Sequence, residues 1–251
     1  MLREALVITA CVGLVTLGCS GGVASSEQTG AGSGGGGQGG GGGQNNVGGS
    51  GGASAIVALG CDATAPGTTT ISCVASVTPG AGAGHGADRF PEIIYGVPHG
   101  AGDHGGSVDV LSLGTDGEIV VGFGGNGIVD GEGKDFIVFE NAFLAGKKPF
   151  KELAQISVSD DGTTWTAFPC KRDALPYDGC AGWHPVYSST GNDVSPYDAV
   201  AAGGEAFDLA TIGVKSARFI KIVDLHNVVG TNGTTGFDLD AVTVIHAHSL
   251  P

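Results

Sequence analysis

Basic residues are scarce in this sequence: 11 Lys and Arg stand against 25 Asp and Glu, a net charge of −14. Nucleic-acid binding calls for clustered cations to meet phosphates, so that class is excluded. A polybasic membrane surface is excluded on the same ground. No apolar run reaches about 18 residues, which argues against a membrane-spanning helix. Pro is limited to 10 and the glycines do not recur every third residue, so collagen is ruled out. No Gly-x-Ser-x-Gly elbow occurs outside the glycine-rich first 52 residues, His-Glu-x-x-His and Cys-x-x-Cys are missing, and no cysteine reads as a nucleophile. Aromatics are 6% and charged residues 14%. What is abundant is glycine, 49 of 251 residues.

Residues 1–18 read as a lipoprotein signal peptide. Arg3 precedes a small or apolar stretch from Ala5 to Gly18, too short for a comfortable membrane span. The end, Val15-Thr16-Leu17-Gly18-Cys19-Ser20, resembles a bacterial lipobox, with Thr16 where a leucine is usual. The resemblance implies cleavage before Cys19 and lipidation of its sulfur, and two or more acyl chains anchor stably.

Residues 19–54 read as a lipid-anchored linker. Of residues 21–52, 17 are glycine, with Ser, Gln and Asn between them. Such a stretch has nothing to bury and is expected to stay disordered. A Gly-rich coil of about 35 residues reaches roughly 30–35 Å.

Residues 55–251 read as one all-β domain, an antiparallel β-sandwich or jelly roll. Short apolar or alternating runs are separated by Gly, Asp and Asn turns. Strands are predicted at 56–59, 70–75, 92–95, 108–111, 118–123, 136–140, 154–159, 164–168, 217–225 and 237–246. In the 154–159 run Ala154, Ile156 and Val158 should face the core and the polar residues water. Asp160-Asp161-Gly162 marks a hairpin turn. Single helical turns fit only at 149–154 and 208–213. Outside the signal peptide and Cys19 four cysteines remain, an even number that suits an oxidising compartment. Of the three possible pairings the local one, Cys61–Cys73 and Cys170–Cys180, is the simplest. Each bridge would contribute roughly 2.5–3 kcal/mol in the chain-entropy model.

Ile156-Ser-Val-Ser-Asp-Asp-Gly-Thr-Thr-Trp165 followed by Ser216-Ala-Arg-Phe-Ile-Lys-Ile-Val-Asp224 resembles discoidin and coagulation-factor C-type domains, which are galactose-binding-like jelly rolls. Asp135-Phe-Ile-Val-Phe-Glu-Asn-Ala-Phe143, Ala206–Gly213 and Gly236-Phe-Asp-Leu-Asp-Ala-Val242 resemble a largely uncharacterised group of bacterial cell-surface lipoproteins. The likeness covers residues 90–247 and bears on fold more than on function.

Carboxylates carry the first functional expectation. Asp238 and Asp240 lie two apart on an expected strand and so should share a face. Asp135 begins a central strand, and Glu140 and Asn141 end it. Oxygen ligands on adjacent strand ends suit Ca²⁺, which takes six to eight of them. The resemblance implies a structural calcium beside the last strand, which places Asp238 or Asp240 near it. The ordinary role of such acids is to cap turn amides. The second expectation is a ligand surface on the aperiodic segment 171–205, which holds Tyr177, Trp183, His184, Tyr187 and Tyr197. Flat aromatics beside polar groups suit sugar rings or a protein partner, or else pack the loop onto the sandwich. His99, Asp103 and His104 offer a weaker zinc possibility.

The sequence thus describes a lipoprotein of the cell envelope, at the outer membrane or cell surface. Its sandwich would bind a glycan, a matrix polymer or an envelope protein. Alternatives are a polysaccharide-acting hydrolase using strand-end carboxylates, or a structural envelope protein.

Overall fold

Ile220 and Ile222 show why this chain forms a sheet. They alternate with partly exposed residues along Phe219–Asp224 and meet β-branched partners on both sides. Ile220 lies opposite Val121 and Val158, and Ile222 opposite Ile119 and Ile156. Cross-strand pairs of this kind are the unit of sheet stabilisation. The computed structural model describes residues 57–58, 60–226 and 235–251. The signal peptide, Cys19 and the glycine tract lie outside the described residues.

The largest sheet runs Val57–Ala58, Cys73–Thr78, Glu118–Gly122, Phe219–Asp224, Ala154–Ser159, Thr166–Ala167. Cys180–Ala181 also pairs with Ala154–Ser159, and all neighbours are antiparallel. A second sheet orders Glu205–Phe207, Phe136–Phe139, Ala241–Val244. A third joins Ser216–Ala217, Asn126–Val129 and Ala247–Ser249. The architecture is an all-β sandwich. Val121, Ile156, Ile220 and Ile222 of the large sheet share one core with Phe136, Val138, Phe207 and Val242 of the second. Phe136 stacks on Phe207 at 5.2 Å and takes the edge of Phe168 at 5.8 Å. Burying side chains of this size contributes about 1.5–3 kcal/mol each.

Phe136-Ile-Val-Phe139 is buried throughout, because both faces of its sheet are covered. Ile137 and Phe139 turn away from the main core and pack with Val186 and Ala202. The segment 186–202 therefore roofs this sheet.

Several expectations are corrected. Glu92–Ile94 is a 3-10 turn, not a strand: Pro91 ahead of it already holds helical backbone angles. Residues 149–154 form no helical turn; Lys148–Phe150 pairs with Phe143–Ala145, and Phe143 stacks on Phe150 at 4.8 Å. Ser157 and Ser159 are buried rather than facing water. Ser157 lies opposite Lys221, whose side chain reaches over the Trp165 ring at 4.5 Å and shields that face. The 237–246 strand is broken at Asp240 into Asp238–Leu239 and Ala241–Val244.

Other expectations match. Leu209–Ile212 is a 3-10 turn capped by the Asp208 carboxylate and closed by Gly213. Cys61–Cys73 and Cys170–Cys180 are bonded. Among the described residues no helix is long and apolar enough to cross a membrane.

Candidate cation site and adjoining cleft

Three carboxylates meet at one end of the core: two extend the buried register of a strand and the third lies on a short strand beside them. Glu140 follows Phe136 and Val138 by the period of two. Glu152 precedes Ala154, Ile156 and Val158 in the same way. Asp238 sits on the short strand that pairs with Leu111–Ser112. One oxygen from each of Glu140, Glu152 and Asp238 lies within 4.8 Å of the others. That is the diameter of a Ca²⁺ coordination sphere, with oxygens at about 2.3–2.6 Å from the ion.

Glu140 is 1% exposed, and neither carboxylate oxygen has a hydrogen-bond partner. The Asn141 N–H leans toward it without a hydrogen bond of normal geometry. The Asn141 Oδ1 is likewise buried and unpartnered. Burial, then the charges of Asp238, Glu152 and Glu205, push the Glu140 carboxyl well above the usual range. Glu152 is pushed up to about 8 by burial and by Asp238 and Asp224, against a hydrogen bond from the Gly236 N–H. Burial also raises Asp238, opposed by hydrogen bonds from the Ser112 and Asn141 side chains. Native structures satisfy the large majority of buried polar atoms, so a buried carboxylate with two orphan oxygens calls for an explanation. A hard divalent cation would supply one: Glu140, Glu152 and Asp238 each offer an oxygen to it.

The structure separates the other two expected ligands from this set. The broken strand voids the argument that Asp238 and Asp240 share a face. Asp240 accepts both contacts of the His99 N–H, the shorter at 2.9 Å, and the His99 ring lies 3.6 Å away. Burial raises Asp240 to about 6, against that N–H. Asp135 sits in a second cluster with Asp130 and Asp208. There its oxygens are occupied by the Gly131 and Leu209 N–H groups and by His246 Nδ1. Asp130 is bridged by Lys215 at 2.6 Å. His99, Asp103 and His104 form no metal-ligating group among the described residues; Asp103 instead accepts from the Tyr187 hydroxyl at 2.6 Å.

Glu152 and Glu205 were absent from the sequence-based ligand set. Register was the available signal for both, since Glu205 shares parity with buried Phe207. The Glu205 carboxylate accepts from the N–H groups of Gly182, Trp183 and His184 at 2.8–2.9 Å. His184 Nδ1 lies 3.2 Å from it.

This carboxylate thereby fixes the rim of a cleft of about 650 Å³. Trp183, His184 and Tyr187 line it, with Lys134, Val200 and Thr211 on other walls. The Trp183 and His184 rings lie 3.5 Å apart between centroids. Tyr177 packs edge-on against Trp183 from outside the cleft lining, at 5.7 Å. Tyr197 is elsewhere, hydrogen-bonded to Thr69 at 2.8 Å.

No protein-family model matches the chain. No curated protein matches it either. The chain is similar in structure to the C-terminal domain of a chitobiase from Bacteroides fragilis, at 13% identity, over 54% of this chain and 65% of that one. The TM-score is 0.26, which supports no functional inference.

Proposed function

We propose that this chain is a binding module of the cell envelope, held to the membrane by lipid on Cys19, with a structural Ca²⁺ at Glu140, Asn141, Glu152 and Asp238. Its ligand is a glycan, received in the cleft beside Trp183, His184 and Tyr187. The galactose-binding-like resemblance is consistent with this reading. The observation that carries it is Glu140, wholly buried with both oxygens unpartnered and two further carboxylates beside it. Three such groups repel one another in a medium of low dielectric, and a divalent ion removes the repulsion. An aromatic platform beside polar groups supports the glycan reading.

The raised carboxyls of Glu140 and Glu152 also fit a general-acid role, so a hydrolase is the second reading. Against it, neither residue lines the cleft, and an acid must reach its substrate's proton to act. Calorimetric titration with Ca²⁺ tests the cation. A glycan array run in Ca²⁺ with the native protein and Trp183→Ala tests the cleft. Saturable heat and array signals lost in Trp183→Ala are expected. Absence of heat refutes the cation reading, signals that survive in Trp183→Ala refute the cleft, and turnover of a polysaccharide favours the hydrolase.

A further inference from the structure

We propose that the cation sets the position of the Trp183–His184 platform, so that the cleft takes its binding form only when the ion is bound. This rests on the cation reading above and adds to it a link between two places in the fold.

The link is a closed ring of contacts. Glu140 ends the Phe136–Phe139 strand. In that strand Val138 pairs with Glu205. The Glu205 carboxylate grips Gly182, Trp183 and His184 by their N–H groups. The Gly182 carbonyl accepts from the Glu152 N–H at 3.1 Å. The Glu152 side chain then returns to Glu140 in the acidic cluster. Every joint of the ring is a hydrogen bond or a strand pair except the last. There two carboxyl groups face each other with no hydrogen bond to the Glu140 oxygens, and a divalent cation would bridge them.

Gly182 makes the joint tight. Its φ is +91°, and a Cβ there would lie 2.1 Å from the Glu152 carbonyl oxygen. The two backbones are therefore in direct contact, and a shift of one moves the other. A second path runs alongside: Lys151 stands over the Tyr177 ring at 4.6 Å, and Tyr177 packs on Trp183. A displacement of residues 151–152 reaches the tryptophan by both routes. A ligand shifts an equilibrium only by its differential affinity for two states, and Ca²⁺ prefers the closed ring because its ligands are assembled only there. By reciprocity, a cleft ligand raises Ca²⁺ affinity by the factor that Ca²⁺ raises its own.

The test uses the two tryptophans of the chain. Trp165→Phe, a conservative change at a half-buried site outside the cleft lining, leaves Trp183 as the sole reporter. Ca²⁺ is titrated into the chelator-treated protein while heat, Trp183 emission and acrylamide quenching are followed. The expected result is a change in emission and a loss of acrylamide access that track the heat to the same saturation point. In Glu205→Gln the heat should persist while the Trp183 response shrinks; Trp183→Phe, with Trp165 kept, should be silent. Saturable heat with Trp183 unmoved overturns the linkage and leaves the cation site standing. No heat at all removes the cation site and the linkage with it.

Discussion

The Asp224 carboxylate accepts the N–H of Phe237 at 2.9 Å with one oxygen. Its other oxygen takes the N–H groups of Asp116 and His226, at 3.0 and 2.8 Å. Asp224 is 3% exposed and continues the buried register of Ile220 and Ile222. It thus does for three loop amides what Glu205 does for the cleft rim. Truncation leaves the buried Phe237 N–H unsatisfied, at about 1–3 kcal/mol, and strips two part-buried loop amides of their acceptor. Asp224→Ala should destabilise the domain by about 3–5 kcal/mol in urea denaturation, with Asp224→Asn intermediate. An Asp224→Ala midpoint equal to that of the native protein contradicts this account.

Glu140→Gln and Asp240→Ala should part company. Ca²⁺ at a hundred times Kd stabilises by about 2.7 kcal/mol, which for a domain this size raises Tm by about 5–10 °C. Glu140→Gln removes a buried charge from the cluster, so the chelated variant should melt above the chelated native protein and gain little from Ca²⁺. Asp240→Ala leaves the cluster intact and should keep the full Ca²⁺ response while losing the His99 tether. A calcium response abolished by Asp240→Ala alone would place the ion with His99 instead.

The same carboxyls set a pH dependence. Glu140 and Glu152 hold their protons more tightly in the folded chain than in the unfolded one, Glu152 up to about 8 from an ordinary 4.5. The folded state therefore binds more protons, and stability falls as pH rises through that window. In chelator, Tm should drop between pH 5 and pH 8. With Ca²⁺ the drop should vanish, because the ion needs the deprotonated groups. Melting curves at both pH values, with and without chelator, check this; a Tm in chelator that rises with pH contradicts it.

Much of the sandwich was legible because its strongest strands alternate or run apolar over several residues. Ala154–Ser159 was read to the residue, and Glu118–Gly122 and Phe136–Phe139 within one residue at an end. The elements that escaped depend on tertiary context. Phe143–Ala145 and Lys148–Phe150 are too short to show a period, and the break at Asp240 has no breaker residue beside it. The acidic site was half legible. Glu140 and Asp238 were named, while Asp135 and Asp240 were named with them and are satisfied elsewhere. Glu152 was hidden because 149–154 was read as a helical turn and the strand reading began two residues after it; extending the alternation backward brings it to the core face.

The anchor is tested apart from the fold. Cys19→Ala should release the protein from the membrane fraction and stop uptake of labelled fatty acid. A variant that remains membrane-bound, with native protein that takes up no label, contradicts the lipid attachment.

The segment roofing the second sheet serves two masters. Its Val186 and Ala202 are part of a hydrophobic cluster, while Tyr187 and Val200, each within two residues of one of them, face the cleft. If the cleft binds as proposed, its specificity is written on a strip whose ends are pinned by packing. Residues 190–193, exposed between the pins, can be exchanged or lengthened without opening the core. That makes the stretch a natural insertion point for retargeting the domain to a different ligand.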